Sequence, residues 1–164
     1  MRYKWIVVLL VVLAVGIGGY LYNKYRIAPA MQFSTLDLID LNGNPIDIEG
    51  LKGKKVFVNF FGTWCGPCLH EFPILERTQA ILENEGYLFI CVSDEEAAKL
   101  KAFRQRVNAR IVIAHSKRSL KEMGINSIPT NYVLNPQSEI VFKQVGEITG
   151  TPDEFAQQLR NINY

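Results

Sequence analysis

The 164-residue sequence predicts an α/β domain, a mixed central β-sheet flanked by helices, preceded by a small β-hairpin and by one apolar helix. Three observations carry this. Two continuous apolar runs rich in β-branched and aromatic residues, Val56–Phe61 and Tyr87–Val92, read as strands buried on both faces. Helical stretches alternate with them, which calls for crossover connections and neighbouring parallel strands. A last pair of strand-like runs around Asn135-Pro136, followed by a helix start, adds an antiparallel edge.

The elements follow in chain order. Trp5–Tyr22 is uncharged and long enough, at roughly 18–20 residues, to cross a bilayer as a helix. Trp5, Tyr20 and Tyr22 sit at its ends, where interfacial aromatics belong. Arg2 and Lys4 precede it and Lys24 and Arg26 follow, a small bias that favours an N-in orientation. Residues 1–4 are then cytoplasmic, 5–22 an anchor, 23–32 a linker and 33–164 the folded domain. The alternative is a signal peptide cleaved near Ala28-Pro29-Ala30. Two basic residues between the apolar run and that site favour the anchor, and both readings export the domain. Phe33–Leu38 and Pro45–Ile48 flank an Asn42-Gly43 turn, a hairpin signature. After the Val56–Phe61 strand a helical stretch reaches about Glu85. Tyr87–Val92 is followed by a helix over Asp94–Val107 capped by Ser93-Asp94, then by a strand over Arg110–Ala114. A short helix over Arg118–Met123 ends on Gly124. Thr130–Leu134 and Glu139–Val145 form the hairpin, and Thr151-Pro152 opens the final helix.

Charge and cysteine usage exclude several function classes. The first thirty residues hold four of the 18 basic residues and no acid, leaving 14 basic against 16 acidic groups in the rest. No basic stripe suited to nucleic acid remains, so no nucleic-acid partner is expected. Three cysteines do not make a disulfide scaffold. A zinc site needs four ligands, and only Cys91, His70 and His115 could join the Cys65/Cys68 pair, so no metal and no cofactor is expected. His70 is one place too late for a Cys-x-x-Cys-His haem attachment site.

What remains is a Cys-x-x-Cys pair at the hand-over from strand to helix, Trp64-Cys65-Gly66-Pro67-Cys68. A thiolate is the nucleophile of disulfide exchange, and a helix N-terminus favours the anion through its unpaired N–H groups and its dipole. Cys68 falls one turn later on the same face, close enough to close a disulfide with Cys65 and displace a bound partner. Gly66 leaves the approach to Cys65 open, and Pro67 gives up an N–H that the first helical turn does not use. Trp64 beside Cys65 suits a rim that shields the thiol and touches a partner, although a core aromatic has the same signature. Cys91, mid-strand in an apolar run, reads as a core residue.

From Phe33 onward the chain resembles the thioredoxin superfamily, and within it the membrane-anchored TlpA/ResA-like oxidoreductases. The residues that carry the resemblance are Val58–Cys68, Glu71-Phe72-Pro73 and Ile128-Pro129-Thr130. It implies a thioredoxin fold, catalysis by Cys65 and Cys68, and a cis Ile128–Pro129 bond facing them. It also implies a substrate surface of Trp64, Gly66, Pro67, Ile128, Pro129 and Thr130. Asn59 stands where cytoplasmic thioredoxins usually have a proton-shuttling aspartate. Glu71, one turn after Cys68, is the replacement that the resemblance suggests, against the plainer reading of a solvated helix glutamate. Pro73 should interrupt the helix ladder. The implied activity is reduction of disulfides in exported proteins, apocytochrome c among them, with re-reduction by a membrane electron-donor protein. The alternatives are a disulfide-forming oxidant, a thiol peroxidase, or a binding module that does no chemistry. The intact Cys-Gly-Pro-Cys argues against the last.

Overall fold

The computed structural model describes residues 2–26, 28–33, 36–47, 49–107 and 111–164. Helix α1 (Arg2–Arg26) has basic residues at both ends around an uncharged apolar stretch, its residues 3–22 having a mean hydropathy of 2.3 and none of them buried. By length and composition it can cross a membrane. The domain that follows contains strands β1 (Leu38–Asp40), β2 (Lys55–Phe60), β3 (Tyr87–Ser93), β4 (Val112–Ser116), β5 (Thr130–Leu134) and β6 (Ile140–Val145). Among the described residues the domain's α-helices are α2 (Gly66–Leu82), α3 (Ala97–Val107) and, after the last strand, α4 (Pro152–Arg160).

The strands form one sheet in the order β1-β4-β3-β2-β5-β6. β2, β3 and β4 are parallel, while β5, β6 and β1 run antiparallel to their neighbours. The sheet is mixed, as the sequence predicts. Alternation along β2 sends Phe57 into one core and Val56, Val58 and Phe60 into the other. Burial on both faces explains why β2 and β3 read as unbroken apolar runs.

The first core takes Phe72, Leu75 and Leu82 of α2, Leu100 and Phe103 of α3, and Phe155, Ala156 and Leu159 of α4. Phe61, Phe72 and Phe103 pack ring against ring, with centroids 5.0–5.4 Å apart, beneath the start of α2. The opposite face is covered by irregular chain, including Ala28, Phe33, Leu36, Leu120 and Ile125.

Several boundaries differ from the sequence expectation, each for a local reason. Among the described residues the N-terminal hairpin consists of Leu38–Asp40 and a bridge at Pro45, with Ser34, Thr35 and Ile48 of the expected arms outside the described residues, and the Asp40 carboxylate accepts the Asn42 and Asn44 amides, both at 2.8 Å. The expected helix over 118–123 is a single turn. Gly124, at φ 81°, closes it with the Ile125 amide on the Leu120 carbonyl, and six residues are too few to repay helix nucleation. α3 starts at Ala97, because Ser93 and Asp94 spend their side chains elsewhere. Ser93 Oγ accepts the Glu95 amide and Asp94 accepts the Leu120 amide. The strand expected over 110–114 lies at Val112–Ser116, with Arg110 outside the described residues. Segment 23–32 begins inside α1, and Ala28 and Phe33 pack into the second core. The chain stays helical through Pro73 to Leu82.

Candidate active site

β2 ends at Phe60, and a turn over 62–65 delivers Cys65 as the N-cap of α2. The turn is closed by the Cys65 amide on the Gly62 carbonyl at 3.1 Å. Cys65 and Cys68 are joined as a disulfide, and Cys65 Sγ accepts the Cys68 amide at 3.3 Å. Cys65 is 6 % exposed and Cys68 not at all, so a partner can reach only the first sulfur. Gly66 has open space where a side chain would stand, and Pro67 lies in the first turn of the helix.

The loop before β5 faces this turn. Ile128–Pro129 is a cis peptide, and the Ile128 carbonyl oxygen lies 3.8 Å from Cys65 Sγ. Thr130 is buried and donates its hydroxyl to the Ser127 carbonyl at 2.7 Å. Trp64 is 71 % exposed, which sets aside the core-aromatic reading and places the indole on the rim. With Leu120, Ile125, Asn126, Ser127 and Ile128 it lines a groove of about 460 Å³ beside the disulfide.

Glu71 is fully buried, so the solvated reading of it does not hold. Its Oε1 accepts the Asn59 side-chain amide at 2.6 Å and its Oε2 accepts the Ile148 backbone amide at 2.7 Å. Burial pushes its pKa up to about 7 against those two hydrogen bonds, with a further upward push from Glu147. Asn59 also donates to Asn131 Oδ1 at 2.7 Å, so the amide that replaces an acid here serves to hold one. Cys91 is buried next to Asn59 in the strand register, and burial raises its thiol well above the ordinary range. A thiol so placed is not a nucleophile. His70 is a surface residue within 3.8 Å of Glu147. His115 turns Nδ1 to the Glu95 carbonyl. Among the described residues no cluster of His, Cys, Asp and Glu could hold a metal ion.

Nothing in the sequence pattern singled out Asn131, Ile148 or Glu95. Ile148 and Asn131 reach Glu71 and Asn59 from 77 and 72 residues away, and Glu95 reaches Thr63 from 32 away.

A disulfide at a strand-to-helix turn, opposite a cis-proline loop, is the arrangement that the sequence resemblance implied. Residues 26–159 match the Redoxin family. The chain belongs to the Redoxin family. It is 30% identical over 149 residues to the thiol-disulfide oxidoreductase ResA of Bacillus subtilis, a match covering 86% of this chain and 83% of that protein. It is likewise 30% identical to the thioredoxin-like protein YneN of the same organism, covering 95% and 96%. Among solved structures, a thioredoxin-family thiol:disulfide interchange protein from Chlorobium tepidum has a TM-score of 0.61 at 26% identity, over 81% of this chain and 94% of that one. StoA from Bacillus subtilis, at 22% identity, shares the fold with a TM-score of 0.62 over 77% and 98%. The protein is thus a ResA-like thiol–disulfide oxidoreductase of the thioredoxin superfamily, and Cys65–Cys68 is its redox-active disulfide.

Proposed function

We propose that the protein is a membrane-anchored reductase of disulfides in exported proteins. The burial of Glu71 one helical turn after Cys68 supports the reductive direction best. A buried carboxyl near the pair disfavours thiolate in the reduced form. Strong oxidants are strong because their reduced form is stabilised, so the opposite tuning makes a better electron donor.

In this reading the Cys65 thiolate attacks one sulfur of the partner disulfide, and the other partner sulfur leaves as a thiolate that takes a proton from water. Cys68 gives its proton to the Glu71 carboxylate and attacks Cys65 Sγ, which releases the second partner sulfur as a thiolate, protonated in turn from water as Glu71 returns its proton to solvent. Two electrons pass to the partner, and the Cys65–Cys68 disulfide re-forms. Trp64, Gly66, Pro67, Ile128, Pro129 and Thr130 make the surface on which the partner lies, an extended segment pairing with the backbone at Ile128. Helix α1 tethers the domain outside the cytoplasm, and a membrane thiol carrier supplies electrons. By its resemblance to the TlpA/ResA-like group, the cysteine pair of apocytochrome c is the first substrate to test.

The reduction potential decides the direction. Equilibrated with glutathione and dithiothreitol buffers, the pair is expected near that of thioredoxin, about −270 mV, and far from the strong oxidant DsbA at about −120 mV. A value above about −180 mV, the level of an isomerase, overturns the reductase reading.

A further inference from the structure

The turn over 62–65 carries Trp64 and Cys65, the two groups that meet a partner first. Its closing bond uses the Cys65 amide and leaves that of Thr63 to find an acceptor elsewhere. Both Thr63 donors go to one carboxylate: the backbone N–H to Glu95 Oε2 at 2.5 Å and the hydroxyl to Glu95 Oε1 at 3.0 Å. Glu95 lies in the loop between β3 and α3, its side chain only 10 % exposed. Lys99, one turn on, pairs with Oε1 and balances the charge. The Glu95 backbone is fastened in turn. Its amide donates to Ser93 Oγ at 3.2 Å and its carbonyl faces His115 Nδ1 at 2.8 Å, and Ser93 and His115 are register partners in β3 and β4.

The clamp bears directly on Trp64. A Cβ at Gly62 would come within 3.0 Å of the indole and 3.1 Å of Ile128 Cδ1, so the ring lies over Gly62 beside the Ile128 loop. Any displacement of Thr63 shifts the indole along that wall. We infer that Glu95 is a positioning residue for disulfide exchange: it fixes Thr63 to the β3–β4 frame and so holds Trp64 and Cys65 in place for the partner. The inference rests on exchange at Cys65 and is independent of its physiological direction.

The test uses the full chain in detergent, with Trp5→Phe so that Trp64 is the sole tryptophan of the two. The reduced protein is mixed with a peptide whose cysteine is capped as a thionitrobenzoate disulfide. Cys65 attacks the peptide sulfur, coloured thionitrobenzoate leaves, and the peptide stays on Cys65 until Cys68 displaces it as a thiol. This leaving group drives the step whatever the potential of the pair, so the outcome does not depend on the reductase reading. Glu95→Gln keeps the size but has one acceptor oxygen for two Thr63 donors and Lys99. Expected are a fall in Trp64 fluorescence anisotropy and a rise of about tenfold in the half-saturating peptide concentration, with the limiting rate held within about twofold. Thr63→Val, which loses only the hydroxyl bond, should move both readouts in the same direction by a smaller amount. Thr63→Ser, which keeps both donors, should restore them. Parent-like anisotropy and half-saturation in Glu95→Gln overturn the inference. Should that variant not fold, parent-like values in Thr63→Val do the same.

Discussion

Glu71 shows how little of a residue's role its type and spacing reveal. On the helix alone it could face water or the core, and the choice falls to partners that arrive late in the chain. A carboxyl held near 7 in the folded state and near 4.5 in the unfolded state links stability to pH with a definite sign. Below 4.5 both states hold the proton. Between 4.5 and about 7 the unfolded state releases it while the folded state keeps it, so stability falls as pH rises, and levels off above 7. At about 1.4 kcal/mol per unit, the loss is on the order of 3 kcal/mol. Glu71→Gln should remove that slope, seen as denaturation midpoints of the oxidised protein that no longer fall between pH 4.5 and 7. The same variant should shift the alkylation rate of the reduced thiols against pH toward lower values, because a nearby negative charge is gone. Parallel profiles in parent and variant would show that Glu71 neither titrates in this range nor touches the thiols.

Strands were legible where burial on both faces leaves an unbroken apolar run, as in β2 and β3, and helices where length and caps agree, as in α4 with its Thr151–Glu154 capping box. Short elements were not. The 118–123 segment carries helical residues and a terminal glycine, yet folds as one turn: it is too short to repay helix nucleation, and the contact that holds it, the Leu120 amide on Asp94, comes from another loop. The expected linker over 23–32 is a comparable case. It reads as a spacer, but Ala28 is buried and the Pro29 carbonyl accepts the Tyr132 hydroxyl at 2.9 Å, next to Phe33, which packs edge-on against the same ring at 5.3 Å. Tyr132→Phe keeps the ring contacts and removes that bond. It should cost about 1 kcal/mol, read as a lower denaturation midpoint, together with faster proteolysis between residues 28 and 33. Unchanged cleavage there would mean that the aromatic packing alone ties the segment down.

For the whole molecule the decisive question is how α1 and the redox domain divide between bilayer and water. The domain covers its own cores without α1, whose apolar residues stay exposed, and by length and composition that helix is suited to a bilayer. The chain should therefore stay in membranes through a carbonate wash and retain Arg2 in its N-terminal sequence. A released chain that begins near Met31 would instead identify residues 1–30 as a cleaved leader. The sequence by itself determined the apolar segment, the mixed sheet and a disulfide at a strand-to-helix turn, because each is written in local patterns along the chain: a run of apolar side chains, an alternation of elements, a Cys-x-x-Cys. That Ile128 stands opposite Cys65 was implied by the resemblance, whereas only the tertiary structure decided that Glu71 is buried under Ile148 and that Glu95 holds Thr63. Those contacts join segments 32 to 77 residues apart, and they exist only once strand order and register have brought β3, β5 and the loop after β6 around the start of α2.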